Sequence, residues 1–369
     1  MRICHVIESA SAGSAMIMTA LALHAVEEGH EVHVVYSPDR EDPAIVSALR
    51  KGGCASVIAV PMRRAIGPWD VRDGLRLRGV LKRLGPLDII HAHSSKAGAL
   101  TRLFCRYATT ALIYSPHGFY TMTGTAPFYI GPVERALSLL GDRVVAVSQF
   151  ERQHGIDIGI NPSRIVVVPN GIAPFPALDR NEARAELGLA ESAFVIGFVG
   201  RLEGQKNPLD AIRAVGLMRS GNHVLAMIGD GALFGEAKGT ANADQTQVEF
   251  LGARTARPVY RAFDVLLCTS LYEGMAVSFL EALACGVPIV SYPVGGTEEL
   301  IREGSTGFVV AAEPAAAAIA LDRIAALPDA ERDALRTSCV AMARDNSEAR
   351  MGKRMLDLYR TIPAERERN

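Results

Sequence analysis

The sequence predicts an α/β protein with two doubly wound domains, each a parallel sheet covered by helices. Short runs rich in Val and Ile, bounded by Gly, Pro and polar residues, alternate with helical patterns along the chain. Such continuous apolar runs are typical of parallel strands that are buried on both faces. The chain of 369 residues is longer than one hydrophobic core usually holds, which also favours two domains.

The predicted strands form two successive series. The first comprises residues 3–7, 31–36, 56–61, 88–91, 111–115, 143–147 and 165–168, and the second comprises 194–199, 223–228, 248–251, 265–268, 289–292 and 307–309. Between them, Pro174 and Pro176 follow a turn at 170–171, so the domains are assigned to 1–175 and 176–345. A last helix within 346–369 is expected to cross back to the first domain.

Composition excludes several classes of protein. No apolar run reaches the roughly 20 residues that a bilayer-spanning helix needs, and the N-terminus lacks the features of a signal peptide. The six cysteines include no CxxC pair, which argues against a zinc site or a disulfide scaffold. The net charge is −1, with +4 in residues 1–175 and −5 in 176–369, a bias too small for a nucleic-acid binder. We therefore expect a cytoplasmic protein with no nucleic-acid partner.

The segment 270–286, SLYEGMAVSFLEALACG, carries the most chemistry. A predicted strand leads into a helix that begins near Gly274 or Met275 and ends at Gly286. The helix is almost entirely apolar and is expected to be buried. It nevertheless contains Glu281, whose buried charge requires compensation. An arginine-paired structural carboxylate is the alternative interpretation.

The predicted start of that helix is suited to bind a phosphate. Backbone amides at Gly274, Met275 and Ala276 would form a positive helix tip. Glu273 precedes the tip and Glu281 lies deeper in the helix. One acid at each side of a phosphate site suits a nucleotide sugar, because one can bind sugar hydroxyls and the other ribose hydroxyls.

Two cations follow the predicted strand 194–199, at the ligand end of the second sheet. Arg201 and Lys206 are placed to bind a diphosphate leaving group, which gains negative charge as a glycosidic bond breaks. Fixed cations that interact more strongly at that moment lower the barrier. Two solvated loop cations are the alternative. The sequence has no Asp-x-Asp metal motif.

At these positions the chain resembles the retaining glycosyltransferases of the GT-B class, which have two Rossmann-like domains, and specifically those of family 4, or group 1. The family signature of two glutamates separated by seven residues matches EGMAVSFLE, from Glu273 to Glu281. Further matches are VPNG at 168–171, GRLEGQK at 200–206, GDG at 229–231 and GGTEE at 295–299.

The resemblance implies a central cleft between the domains and no required cofactor or metal. It implies that the catalytic residues are His117, Glu273, Arg201 and Lys206. The implied donor-binding residues are Gly13, Gly200, Arg201, Lys206, Gly229, Glu273, Gly274, Met275, Ala276 and Glu281. In this set Glu281 binds the ribose, and the two cations bind the diphosphate.

The first domain supplies the acceptor side. His117 follows the predicted strand 111–115 and resembles the family histidine that lies beside the donor sugar. His91 and His93 end another strand and are assigned an acceptor-side or structural role. As a metal pair they lack an evident third ligand. Many relatives have a Gly-Gly pair after the first strand, whereas here only Gly13 matches.

These features predict a retaining hexosyl- or N-acetylhexosaminyltransferase that uses a nucleotide-sugar donor. UDP-sugars are favoured and GDP-mannose is second. The segments SPHGFY and SSKAG resemble bacterial polysaccharide-assembly members, so a glycan or a polyprenyl-linked sugar is the expected acceptor. A nucleotide-sugar 2-epimerase and a non-catalytic sugar-nucleotide-binding subunit remain alternatives.

A basic segment in the first domain suggests a further partner. On a helical wheel for 70–84, Arg72, Arg76 and Arg83 fall within about 40° of one another. A cationic face near a site for a lipid-linked substrate is expected to dock on the anionic inner face of the cell membrane. An ordinary solvated helix face explains the same pattern.

Overall fold

The computed structural model describes residues 1–366, and the chain divides into two compact units. Unit 1 comprises Met1–Gly171 together with the C-terminal segment from Glu348, and unit 2 comprises Ile172–Ser347. The change of unit thus falls four residues before the expected boundary at 175–176. The last three residues of the 346–369 segment, 367–369, lie outside the described residues.

Unit 1 contains one parallel sheet with the strand order β3-β2-β1-β4-β5-β6-β7. The strands are β1 (Arg2–Ile7), β2 (Glu31–Tyr36), β3 (Ser56–Ala59), β4 (Ile89–His93), β5 (Ala111–Ser115), β6 (Arg143–Ala146) and β7 (Ile165–Val167). The helices are α1 (Ala12–Glu27), α2 (Pro43–Lys51), α3 (Trp69–Arg83), α4 (Ser95–Phe104), α5 (Ile130–Ser138) and α6 (Gln149–Asp157). Every residue of β4 and β5 is buried, as expected for central parallel strands.

Unit 2 contains a second parallel sheet with the order β10-β9-β8-β11-β12-β13. Its strands are β8 (Phe194–Val199), β9 (His223–Ile228), β10 (Val248–Phe250), β11 (Val265–Cys268), β12 (Ile289–Ser291) and β13 (Gly307–Val309). Its helices are α7 (Arg180–Leu187), α8 (Pro208–Gly216), α9 (Phe234–Ala243), α10 (Val277–Ala284), α11 (Thr297–Leu300), α12 (Pro314–Ala325) and α13 (Asp329–Asp345). The predicted α/β fold with two doubly wound sheets is confirmed.

Both sheets reverse their winding direction at a defined place. In unit 1 the chain moves outward from β1 to β3 and then returns to β4, beside β1; in unit 2 the same reversal places β11 beside β8. Ligands of doubly wound sheets bind outside the carboxyl ends of the strands at such switch points. The loops that follow β1, β4, β8 and β11 are therefore the parts of each unit to inspect.

The last helix, α14 (Glu348–Arg366), belongs to unit 1 and packs against α1 and β5. The approach to α1 is close at Gly352, where a Cβ atom would lie 2.1 Å from Cδ2 of His24. Tyr359, on the same helix α14, is fully buried. None of the helices described within residues 1–366 combines the length and apolar character required to cross a membrane.

Candidate functional site

A buried ion pair joins the loop after β8 to the loop after β11. Nζ of Lys206 lies 2.7 Å from Oε1 of Glu273, and the two side chains are 19% and 10% exposed. Burial opposes the charged ammonium, but the attraction and hydrogen bond of Glu273, together with the neighbouring Cys268, outweigh it and raise the pKa of Lys206. The structure therefore brings together two predicted site residues that are 67 positions apart, and it keeps Lys206 cationic.

The helix after Glu273 begins later than predicted. α10 begins at Val277, with Ala276 extended before it, so Gly274 and Met275 are not helical. The reason is a close backbone approach: a Cβ atom on Gly295 would lie 2.1 Å from the carbonyl oxygen of Gly274. That packing fixes the 273–276 segment against the 295–296 loop and delays the helix.

The positive helix tip consequently lies at Val277 and Ser278, whose amides have no carbonyl partner within α10. The prediction that Gly274, Met275 and Ala276 form the tip is wrong, although these residues remain in the loop that leads to it. Lys206 and Ser278 line one small cavity of about 10 Å³. Lys206 and the first turn of α10 thus lie beside one another at the carboxyl ends of β8 and β11.

Glu281 lies inside α10 and is paired with an arginine, Arg257, as the alternative interpretation expected, and with Tyr260; the sequence analysis named neither partner. Its Oε1 accepts from Nε of Arg257 at 2.8 Å, and its Oε2 accepts from the hydroxyl of Tyr260 at 2.9 Å. Burial, and then the neighbouring carboxylate, raise the pKa of Tyr260 well above its usual value, so the phenol stays a donor. A carboxylate has about four acceptor positions, which leaves Glu281 able to accept further hydrogen bonds.

Arg201 occupies a more exposed position than Lys206. Its guanidinium is 52% exposed and forms an ion pair with Glu203 at 2.5 Å. It also donates to Oε1 of Gln205 at 3.4 Å. Residues of the same loop thus orient Arg201, and an incoming phosphate would have to compete with Glu203 for it.

The glycines of the predicted donor site have packing reasons of their own. Gly229 follows β9 with a φ of +148°, and a Cβ atom there would lie 1.9 Å from the carbonyl oxygen of Gly200. The loops after β8 and β9 are therefore pressed together at these two residues. This close approach explains why position 229 is glycine.

In unit 1, His117 follows β5 in a left-handed backbone conformation, with a φ of +54°. The next amide, of Gly118, donates to Oε1 of Glu151 at 2.5 Å, and Val147 donates its amide to Oε2 at 2.7 Å. Burial raises the pKa of Glu151 to about 7. Burial also lowers the pKa of His117 to about 4, so its ring is neutral at pH 7. Sequence reasoning missed Glu151, which lies in the first turn of α6.

A third histidine, His5, lies beside His91 and His93. His5 on β1 is paired with His91 on β4, and ring nitrogens of the three fully buried residues lie within 4.8 Å of one another. These three side chains could hold a metal ion, so the expectation that a third ligand is lacking is wrong. His91 is already engaged by hydroxyls, at 2.6 Å by Tyr359 and at 2.8 Å by Ser115.

Gly13 lies in the first turn of α1, which begins at Ala12. Ser11 is the N-cap residue, but its side chain caps no amide of the helix. The first-turn amide of Gly13 has no carbonyl partner within the helix. The start of α1 therefore offers a free backbone amide after β1, at Gly13.

The predicted basic helix corresponds to α3. Arg72, Arg76 and Arg83 are exposed on it, while its leucines at 77 and 81 are buried against the sheet. Val71 and Leu75 are also exposed, at 56% and 55%. The cations and these apolar side chains line one open groove of about 810 Å³.

Two parallel doubly wound units, with a cation, a helix tip and two acids at the switch point of the second, define the GT-B class of glycosyltransferases. The model for glycosyl transferases group 1 matches residues 193–326, and the model for glycosyltransferase family 4 matches residues 12–174. The D-inositol 3-phosphate glycosyltransferase of Actinosynnema mirum is 31% identical over 305 residues, which cover 74% of this chain and 72% of that enzyme. The chain belongs to the group 1, or family 4, glycosyltransferases, and the predicted family is confirmed.

The chain is also similar to a further enzyme in sequence and to two solved structures in fold. The UDP-Gal:alpha-D-GlcNAc-diphosphoundecaprenol alpha-1,3-galactosyltransferase of Escherichia coli is 30% identical over 65% of this chain and 66% of that enzyme. The structure of HepE from Anabaena, in complex with UDP and glucose, superposes with a TM-score of 0.81 at 20% identity, covering 97% of this chain and 99% of that one. A glycosyltransferase from Rickettsia africae gives a TM-score of 0.81 at 18% identity, covering 98% of both chains.

Proposed function

We propose that this glycosyltransferase transfers a hexosyl or N-acetylhexosaminyl group from a UDP-sugar to a glycan or polyprenyl-linked sugar, with retention of anomeric configuration. The observation that carries the proposal is the Lys206–Glu273 pair beside the first turn of α10. A buried ammonium and a helix N-terminus at one place suit a diphosphate. Both interactions strengthen as the leaving diphosphate gains charge, which lowers the barrier.

The two glutamates are proposed to divide the donor between them. Glu273 forms a salt bridge with Lys206 and lies next to the diphosphate position, so it is assigned to the sugar end. Glu281 is fixed by Arg257 and Tyr260, with acceptor positions left over, so it is assigned to the ribose hydroxyls. In the other unit, His117 is proposed to lie beside the reacting sugar, with His91 and His93 behind it on the acceptor side.

The choice of donor and acceptor is supported by relatives. The Escherichia coli relative is named for a UDP-galactose donor and a diphosphoundecaprenol-linked acceptor, and HepE was crystallised with UDP and glucose. These names support a UDP-sugar as the first candidate donor, and GDP-mannose is kept as the second. No cofactor or metal is proposed for the transfer, and the departing phosphate is proposed to take the acceptor proton.

A donor panel tests the proposal. The full chain is incubated with UDP-glucose, UDP-galactose, UDP-N-acetylglucosamine and GDP-mannose, with and without a short polyprenyl-diphosphate sugar. Release of UDP that depends on the acceptor supports the proposal, and NMR of the product linkage must show the anomeric configuration of the donor. An inverted linkage refutes retention, release of GDP alone refutes the UDP assignment, and a 2-epimer formed without transfer refutes transferase activity.

We further propose that α3 docks unit 1 on an anionic membrane surface. Arg72, Arg76 and Arg83 supply cations, each contributing about 1 kcal/mol near such a surface, and Val71 and Leu75 supply exposed apolar area. Co-sedimentation with vesicles of phosphatidylglycerol and phosphatidylcholine tests it at low salt. The triple alanine variant of the three arginines is expected to lose binding. Equal binding by the variant, or none by the wild type, would overturn the membrane contact.

A further inference from the structure

The turn that carries Lys206 is tied to the first residue after β11 by one buried hydroxyl. Oγ1 of Thr269 lies 2.8 Å from the carbonyl oxygen of Asn207 and 3.2 Å from that of Lys206. Thr269 is fully buried and directly follows β11. Because a hydroxyl has a single proton, the two carbonyl oxygens share it. The loops that meet at the Lys206–Glu273 pair are therefore joined a second time, at Thr269.

Asn207, the residue after Lys206, has a left-handed backbone with a φ of +49° and a ψ of +58°. This conformation is unfavourable for residues other than glycine, although asparagine adopts it more readily than most, and the surrounding structure has to hold it. The side chain of Asn207 donates to Oδ2 of Asp210 at 2.8 Å. The hydroxyl of Thr269 restrains the same residue from the other side, at its carbonyl oxygen.

The side chain of Lys206 runs along Gly200. A Cβ atom at Gly200 would lie 3.0 Å from Cε and 3.1 Å from Cδ of Lys206. The place of the ammonium therefore follows the place of the backbone at 206–207. At the end of the side chain, Nζ lies 2.7 Å from Oε1 of Glu273, and Lys206 lines the same small cavity as Ser278. A change in the backbone at 206–207 would move the ammonium away from both.

We propose that Thr269 is a positioning residue for sugar transfer, whose hydroxyl holds the 206–207 backbone so that Nζ of Lys206 stays beside Glu273 and the first turn of α10. The diphosphate that the ammonium would bind there rests on the proposed function, whereas the effect of Thr269 on the ammonium does not. Thr269 acts only through Lys206, because its own hydroxyl proton is engaged by the two carbonyl oxygens.

Variants separate positioning from simple support of the fold. Thr269→Val keeps the size and branching of the side chain but removes the hydroxyl, and kcat is expected to fall about 10- to 100-fold, since a displacement of about 1 Å can have such an effect. Thr269→Ser restores the hydroxyl and is expected to recover most of kcat. In a Lys206→Ala background, Thr269→Val should lower kcat by less than about 3-fold, because the group that it positions is absent. The same loss in both backgrounds would refute the proposal.

Acetylation of Lys206 by acetic anhydride, followed by mass spectrometry, reports the place of the ammonium without any substrate. Thr269→Val is expected to raise the acetylation rate of Lys206 about 10-fold, because an amine that has left Glu273 is less protonated and more accessible. The exposed Lys353 is the internal reference. An unchanged rate at Lys206 in Thr269→Val would overturn the proposal.

Asn207 offers a second test of the same restraint, which decides the matter if Thr269→Val does not fold. Asn207→Ala places a Cβ-bearing residue without the amide in the left-handed conformation and is expected to speed the acetylation of Lys206. Asn207→Gly adopts this backbone without strain and should stay closer to the wild-type rate. Equal rates in the wild type and Asn207→Ala would show that the turn does not set the place of the ammonium.

Thr306→Val is the matched control in the same unit. Thr306 is also buried, and its hydroxyl donates to the carbonyl oxygen of Leu300 at 2.9 Å. The variant is expected to lower stability in urea while leaving kcat and the acetylation of Lys206 unchanged. A fall in kcat equal to that of Thr269→Val would assign the effect to lost stability and refute positioning. If the wild type transfers no sugar from any donor, the proposed function fails, and acetylation still decides the role of Thr269.

Discussion

Replacing His5 by leucine is expected to make unit 1 less sensitive to acid. His5 is fully buried, and burial lowers its pKa from 6.5 to about 3. Below pH 6.5 the unfolded chain binds a proton at this residue that the folded chain does not bind. The folded state therefore loses stability as the pH falls, until the pKa of the folded state is reached.

The size of the effect follows from the width of this interval. Between pH 6.5 and pH 5 the free energy of unfolding falls by about 1.36 kcal/mol per pH unit, which is about 2 kcal/mol for this one histidine. Glu151 acts in the opposite direction, since burial raises its pKa from 4.5 to about 7 and the folded chain then binds the additional proton. Glu151 is present in both wild type and His5→Leu. The difference between their free energies of unfolding therefore cancels the contribution of Glu151 and leaves that of His5.

Urea unfolding at pH 7 and pH 5 measures that difference. The chain has a single tryptophan, Trp69 at the start of α3, so its fluorescence reports the unfolding of unit 1. Relative to wild type, His5→Leu should be more stable at pH 5 than at pH 7 by about 2 kcal/mol. Ile3→Val on the same strand has no titratable group, and its cost of about 1 kcal/mol should be equal at both pH values. A His5→Leu effect that does not change with pH would refute the assignment of His5 as a buried neutral base.

Three further predictions concern unit 2. Lys206→Ala should lower the transfer rate about 10²- to 10³-fold, and Arg201→Ala should lower it less because Arg201 is half-exposed whereas Lys206 is largely buried; equal losses in steady-state kinetics would contradict this ranking. Glu281→Ala should weaken binding of free UDP in calorimetry, whereas Glu273→Ala should spare UDP binding and impair use of the whole donor. Equal losses of both properties in both variants would refute the assignment of Glu281 to the ribose and Glu273 to the sugar. Gly229→Ala should lower the free energy of unfolding by about 2–3 kcal/mol in chemical denaturation, since the new Cβ would meet a carbonyl oxygen at 1.9 Å, and a neutral result would show that the loop relaxes.

The fold could be predicted because its signal is local. Each predicted strand of both series is present within residues 1–366, with ends shifted by at most two residues. Continuous apolar runs identify buried parallel strands without knowledge of what covers them. The start of α10 could not be found this way, because the loop at Gly295, more than fifteen residues further on, decides where the helix begins.

The residues of the candidate site could be selected from the sequence, but the contacts between them and their partners could not. Glu273, Glu281, Arg201 and Lys206 could be selected from motif and spacing. Their partners could not, because Arg257 and Tyr260 lie more than twenty residues before Glu281 and carry no motif of their own. A polar residue on each of two neighbouring strands is a usable signal, and it would have placed His5 beside the histidines of β4.

The same physics explains what was missed in the first unit. Glu151 is a carboxylate in the first turn of α6, where such residues are common at helix starts, so its sequence position suggests nothing unusual. Only the folded structure shows that its two oxygens accept from the amide of Gly118, next to His117, and from the amide of Val147 after β6. Backbone support of this kind depends on burial, which is a property of the folded unit.

The return of α14 to unit 1 sets an order of events during synthesis. The ribosome completes every residue of unit 2 before it makes Tyr359, the partner of His91 in the first sheet. When synthesis has just passed Ser347, every residue of unit 2 has been made. At that stage His91, on a central strand of the first sheet, still lacks its hydrogen-bond partner Tyr359. Unit 1, although its synthesis begins first, is therefore completed only after unit 2 has been made, when the final helix packs against α1 and β5.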